Sequence, residues 1–158
     1  MKPKKLPKMT RQEIRQLLGE QILCRIAFGG KNAPYIAPFQ YAVVDGHLYF
    51  HFTDYGKKIG LLEEGNSVCV EIEKYTPDLS EYRFVVLTGN LRLITEPNER
   101  IKAIEKMVEI AKRKRLSKNF LVAHGFPKEK GWDFLTPEKP LLIVRLENIT
   151  GEIGLKSP

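Results

Sequence analysis

Apolar and polar positions change period several times along the chain, and each change marks an element. Near the start, Thr10 and Glu13 have the spacing of a capping box, and Met9 and Ile14 that of a hydrophobic staple. Ile14, Leu17 and Leu18 share one helical stripe, which predicts a short amphipathic helix over about 10–19 with Gly19 as its stop. Period two then takes over. Strands are predicted at 22–28, 35–44 and 47–52, the last two joined by Asp45-Gly46, a pair suited to the positive φ angles of a type I′ hairpin turn. Further strands are expected at 68–75 and 82–94, with Gly89 marking a bend or bulge in the second. A short helix is expected over 56–64. The longest helix opens at Thr95-Glu96-Pro97 and runs to about Leu116, because Ile101, Ile104, Met107, Val108 and Ala111 trace a helical period. Residues 117–140 follow neither period. A strand over 141–146 comes last, with 150–154 as a short paired extension.

Strands that arrive as hairpins, without βαβ alternation, predict a mainly β fold: a six-stranded antiparallel barrel with peripheral helices. The length of 158 residues suits a single domain, with the barrel over about 20–154. No apolar run approaches the ~20 residues of a membrane-spanning helix, and the basic N-terminus leads into polar residues instead of a secretory core. The expected location is the cytoplasm.

Charge changes this picture little. The net charge of +7 concentrates in two segments that read as helices, 1–20 at +4 and 99–118 at +5, so the strands carry no positive stripe for nucleic acid. The basic run Lys112 to Arg115 suits a helix C-terminus. Cys24 and Cys69 each sit in an apolar run and are expected to be buried thiols. His47 and His51 can share a strand face, but no third ligand is nearby for zinc. The usual hydrolase, metalloprotease, phosphate-loop and dinucleotide motifs are absent.

Candidate chemistry lies between Ala33 and Lys58. Pro38 removes a ladder donor, so its position belongs at an edge, at a bulge, or where a flat ligand replaces a neighbouring strand. Downstream, Lys57 and Lys58 meet the first turn of the expected short helix, an arrangement suited to phosphate. Asp54 has to point away from that site or cap the helix.

Several marks occur in order: Ile14, Leu17 and Leu18; Pro34-Tyr35 and Pro38; Tyr49-Phe50-His51; Gly56-Lys57-Lys58; and Tyr82, Val85 and Gly89. Together they resemble the FMN-binding split-barrel superfamily of pyridoxamine 5′-phosphate oxidase, in particular its nitroimidazole-resistance-type branch. The resemblance runs from about Met9 to Gly151. It implies a homodimer of split barrels with FMN in two grooves between the subunits. Tyr35, Ile36, Ala37, Pro38, Phe39 and Gln40 would line the ring through backbone and apolar contacts. His51 and Thr53 would stand at the ribityl and phosphate end, with Lys57 and Lys58 on the phosphate, and Arg83, Val85, Val86 and Thr88 would line the neighbouring strand. Phe84 departs from the pattern, standing where the branch carries a small polar residue. Trp132 and Phe134 either cover the ring or pack on the barrel.

The activity implied is FMN-dependent reduction of a small organic acceptor by a nicotinamide nucleotide or another donor. Pyridoxamine phosphate oxidation itself is disfavoured, because the chain end lacks an Arg-x-His motif. A flavin-binding module without turnover, a related barrel holding deazaflavin or haem, and a basic nucleic-acid-binding protein are the competing readings.

Overall fold

The computed structural model describes residues 4–29, 34–52, 60–62, 67–123, 126–136 and 141–158. Six strands, β1 (Leu23–Phe28), β2 (Tyr35–Val44), β3 (His47–Phe52), β4 (Ser67–Tyr75), β5 (Tyr82–Leu93) and β6 (Leu142–Lys156), close into a barrel in the order β1-β2-β3-β6-β5-β4. All neighbours are antiparallel. The expected mainly β, six-stranded antiparallel barrel with peripheral helices is therefore what the chain forms.

Alternation decides what fills it. Cys24, Ile26 and Phe28 of β1, Ala37, Phe39 and Tyr41 of β2, Leu48, Phe50 and Phe52 of β3, and Val68, Val70 and Ile72 of β4 point inward. Val85 and Leu87 of β5 and Val144 and Leu146 of β6 complete the interior. Phe39 and Phe52 stack at 4.6 Å between ring centroids.

Helix α1 (Arg11–Glu20) closes one end. Its capping box is formed: the Thr10 hydroxyl accepts from the Glu13 amide at 3.2 Å, and Glu13 accepts from the Thr10 amide at 2.7 Å. Leu17 is fully buried, and Tyr41 donates its hydroxyl to the Leu18 carbonyl at 2.7 Å. The helix continues through Gly19 and stops at Gln21, whose extended backbone sends its N–H back to Leu17. Helix α2 (Pro97–Arg113) is capped by Glu96, which accepts from the amides of Asn98 and Glu99. Its apolar stripe of Ala103, Ile104, Met107 and Ile110 covers Ala42, Tyr49 and Ile143 on the outside of β2, β3 and β6. The basic end of α2 is engaged locally, with Lys112 paired to Asp133 and Lys114 donating to the Glu20 carbonyl.

Two further sequence expectations need correction, the last strand and Cys69. The last strand is continuous from Leu142 to Lys156 instead of interrupted, because the barrel absorbs the irregularity at a bulge. Thr88 pairs with Gly151 and Asn90 with Glu147, so Gly89 alone faces Asn148, Ile149 and Thr150. The described residues between 117 and 140, which no period assigned, hold a short helix α3 (Asn119–Ala123) and 3₁₀ turns at Lys128–Lys130 and Trp132–Phe134. Cys69 is exposed, since its position in β4 alternates with the inward Val68 and Val70; Cys24 is buried as expected. The helix expected at 56–64 is described only at residues 60–62, which are helical.

A Cβ at Gly89 would lie 2.6 Å from the Glu147 carbonyl oxygen and 3.2 Å from Leu146. Gly89→Ala should therefore cost about 1–3 kcal/mol, read as a lower urea midpoint at unchanged slope. Burial also pushes the Cys24 thiol from 9.0 up to about 12, with the Glu71 charge acting in the same sense. The folded chain thus retains a proton that the unfolded chain releases, so this contribution is complete below pH 9.0 and is lost as pH rises towards 12. Urea titrations above pH 9.0 should show stability falling with pH, and less steeply in Cys24→Ala.

Candidate functional site

Along residues Tyr35 to Gln40, β2 is laddered to Phe28 through Leu23 of β1. Its ladder with β3 covers Tyr41 to Val44 opposite Phe50 to His47 and goes no further. Among the described residues, no strand pairs with the other edge of β2 between Tyr35 and Gln40. Tyr41 sends its N–H to Ile22, towards β1, at 3.1 Å. Antiparallel alternation then points the backbone groups of Ile36, Pro38 and Gln40 towards the open edge. Pro38 has no N–H to offer there, so the missing donor costs the sheet nothing.

The candidate residues on β2 divide by parity. Ile36 (63% exposed), Pro38 and Gln40 place their side chains on the outer face. Ala37 and Phe39 are buried inside the barrel, and half-buried Tyr35 packs on Phe28 at 5.9 Å. Those three face β1 and the core, where they support the edge from beneath.

At the β3 side of the opening stands His51, paired in register with Ile143 and on the outer face of the barrel. It is 8% exposed and meets the Phe120 ring edge-on at 4.7 Å between centroids. Thr53, Lys57 and Lys58 lie outside the described residues.

Strand β5 is not the neighbour of β2: β1 and β4 stand between them. Its candidates also divide by parity. Val85 is fully buried in the interior, and Arg83 approaches Glu20 at 3.6 Å. Val86 and Thr88 lie on the outer face, as does half-buried Phe84, opposite Glu73 and Leu155. Register nevertheless joins these outer positions to β2. Thr88, Cys69, Ala27 and Ile36 form one row around the outside, and Val86, Glu71, Arg25 and Pro38 form the next.

The second row contains charges that the sequence analysis did not single out. Arg25 holds Glu71 at 3.2 Å and Glu73 at 2.6 Å. Burial raises the Glu71 carboxyl above its ordinary range, the Glu73 charge adds to this, and Arg25 opposes both. The available signal was Arg25 between Cys24 and Ile26, and Glu71 between Val70 and Ile72, charges at the outward phase of apolar strands. Cys69 lies 3.6 Å from the Thr88 hydroxyl. Trp132 is packed with Ala111 and Leu121, and Phe134 with Phe126 at 5.8 Å, so both belong to the layer beside the barrel. Among the described residues no group of three or more potential ligands is arranged to hold a metal ion, and no helix is long and apolar enough to cross a membrane.

Known structures share this architecture. The conserved hypothetical protein Rv2991 from Mycobacterium tuberculosis is 18% identical, with a TM-score of 0.72 over 98% of this chain and 89% of that one. A candidate 5-nitroimidazole antibiotic resistance protein from Bacteroides thetaiotaomicron is 16% identical, with a TM-score of 0.67 over 96% and 87%. An FAD binding protein from Mycobacterium smegmatis is 15% identical, with a TM-score of 0.66 over 96% and 100%. At these identities the likeness is one of fold. No curated protein sequence matches the chain. The family model for pyridoxamine 5′-phosphate oxidase matches residues 10–128, which span α1, the first five strands and α2, and the chain belongs to that family.

Proposed function

We propose that this protein is an FMN-dependent oxidoreductase that works as a cytoplasmic homodimer, with one flavin in each of two grooves between the barrels. The observation that carries the proposal is the open edge of β2 beside His51, in a chain of the pyridoxamine 5′-phosphate oxidase family. A flavin ring is flat, apolar over its benzenoid part and hydrogen-bonding along its pyrimidine edge. The open edge suits it on both counts, since Ile36 offers a backbone donor and acceptor and Gln40 a backbone donor, while the Ile36 and Pro38 side chains present apolar surface. Lys57 and Lys58 would neutralise the phosphate, with His51 and Thr53 at the same end.

Bound flavin supplies the electron transfer; the chain's own residues bind it, orient it and limit its exposure to water. No hydrolytic triad is needed for such work. The electrons would pass from a nicotinamide nucleotide or another donor to a small organic acceptor. Exposed Ile36 (63%), Leu23 (59%) and Ile153 (56%) are apolar outer-surface positions of the kind a second copy would cover.

FAD is the competing flavin, because structural neighbours from Mycobacterium smegmatis and Mesorhizobium loti are described as FAD-binding. Haem enters through a further neighbour described as binding FAD and haem. The visible spectrum of freshly purified protein separates flavin from haem, and the mass of the heat-released cofactor separates FMN from FAD. Yellow protein that NADH or NADPH bleaches, and that an acceptor recolours faster than free FMN, is the expected result. Bound flavin that is not reduced faster than free FMN by any donor points to a binding module. Colourless protein that rejects added FMN and FAD overturns the reading.

Two further outcomes are expected. Replacing Lys57 and Lys58 together by Ala should weaken FMN binding without unfolding the chain, through loss of charge-assisted contacts worth about 1.5–3 kcal/mol each. In hydrogen exchange, the Ile36 and Gln40 amides should exchange faster than those of Ala37 and Phe39 in the apoprotein and become protected when FMN is added; an unchanged pattern would place the ring elsewhere.

A further inference from the structure

His51 is the one buried polar residue among the described residues, and it stands on an outer strand face. One of its contacts comes from the segment whose sequence follows no period. Phe120 of α3 meets the imidazole at 4.7 Å with an interplanar angle of 79°. Phe120 also packs against Trp132 at 5.4 Å, and Trp132 is fixed beside the fully buried Ala111 and Leu121. A continuous line of contacts thus runs from α2 through Trp132 and Phe120 to His51, at the end of the split where β2 and β3 part.

We propose that Phe120 is a positioning residue of the candidate flavin site: it holds the His51 imidazole in the orientation that meets the cofactor. The inference rests on the flavin reading and adds a residue to it. An imidazole on a strand face has two side-chain torsions, and an aromatic edge contact with a fixed partner behind it restricts them before any ligand arrives. Phe120 itself acts through His51 and not on the cofactor.

A double-mutant cycle on the full chain tests this, with FMN affinity read by flavin-fluorescence quenching on titrating apoprotein. Phe120→Ala should weaken FMN binding about tenfold in the native background and less than about twofold in His51→Ala, because the two residues act as one unit. Phe120→Leu, which retains bulk without an aromatic edge, should fall between native and Phe120→Ala, and it carries the same cycle if the alanine variant fails to fold. Equal losses in both backgrounds, or no loss in the native one, would make Phe120 ordinary packing and overturn the inference. Native affinity in His51→Ala would overturn it too, while leaving the flavin reading standing. A native apoprotein that binds no FMN removes both.

Discussion

A β-strand has two hydrogen-bonding edges, and a closed barrel has to use both on every strand or leave a gap. Here β2 is laddered to β1 from Tyr35 to Gln40 and to β3 from Tyr41 to Val44, so it changes partner midway and its β3-side edge is left without a strand from Tyr35 to Gln40 among the described residues. Everything proposed about the site follows from that half-used strand. The opening has a floor, because Phe39 and Phe52 stack beneath it at 4.6 Å and keep the interior sealed. It also has a side wall, because His51 and Phe120 stand where the two strands part. Unpaired backbone groups are a liability on an exposed edge, and Pro38 limits it by having no donor to present.

The helices determine which part of the outside remains available. Helix α2 lies over β2, β3 and the start of β6, burying Ala42, Tyr49 and Ile143, while α1 plugs one end, with its Ile14 and the preceding Met9 against Gly154 of β6. The outer rows through Ile36, Ala27, Cys69 and Thr88 receive no such cover from the described helices. This asymmetry is set by charge and periodicity together: Tyr49 and Arg145 both donate to Glu99 at the start of α2, at 2.8 and 2.6 Å, and hold that helix against β3 and β6. The same contacts therefore keep α2 away from the row through Ile36, Ala27, Cys69 and Thr88.

Local signals carried most of the strands. Tyr35 to Val44 and His47 to Phe52 emerge residue for residue because Asp45-Gly46 adopts the positive φ angles, 50° and 81°, that a two-residue hairpin needs. The edge position of Pro38 was legible for a similarly local reason, a missing donor. Neighbourhood across the sheet was less legible. Nothing in the spacing of Arg83 to Thr88 says that β1 and β4 intervene before β2, since closure order depends on long-range pairing. Nor does resemblance distinguish Ala37 and Phe39, which face the core, from Ile36 and Pro38, which do not. Residues 117–140 resisted for another reason: α3 and its 3₁₀ turns are too short to show a period, and their order comes from Trp132 packing against α2.

The charges on the open face limit how it can be covered. Arg25 serves two carboxylates, Glu71 and Glu73, so the group carries one uncompensated negative charge, and Glu71 is already held above its ordinary carboxyl range by burial. A second barrel laid directly over this group would desolvate all three side chains, and the loss of hydration would exceed what one guanidinium returns. Apolar cover is better placed on the adjacent row of Ile36, Ala27 and Cys69, leaving the Arg25 group at a wet margin. In the proposed homodimer the groove between two copies would then lie where the apolar row meets the open edge of β2, with the charged row along its rim. This is where a ligand with a flat apolar body and a hydrogen-bonding edge meets the least electrostatic penalty.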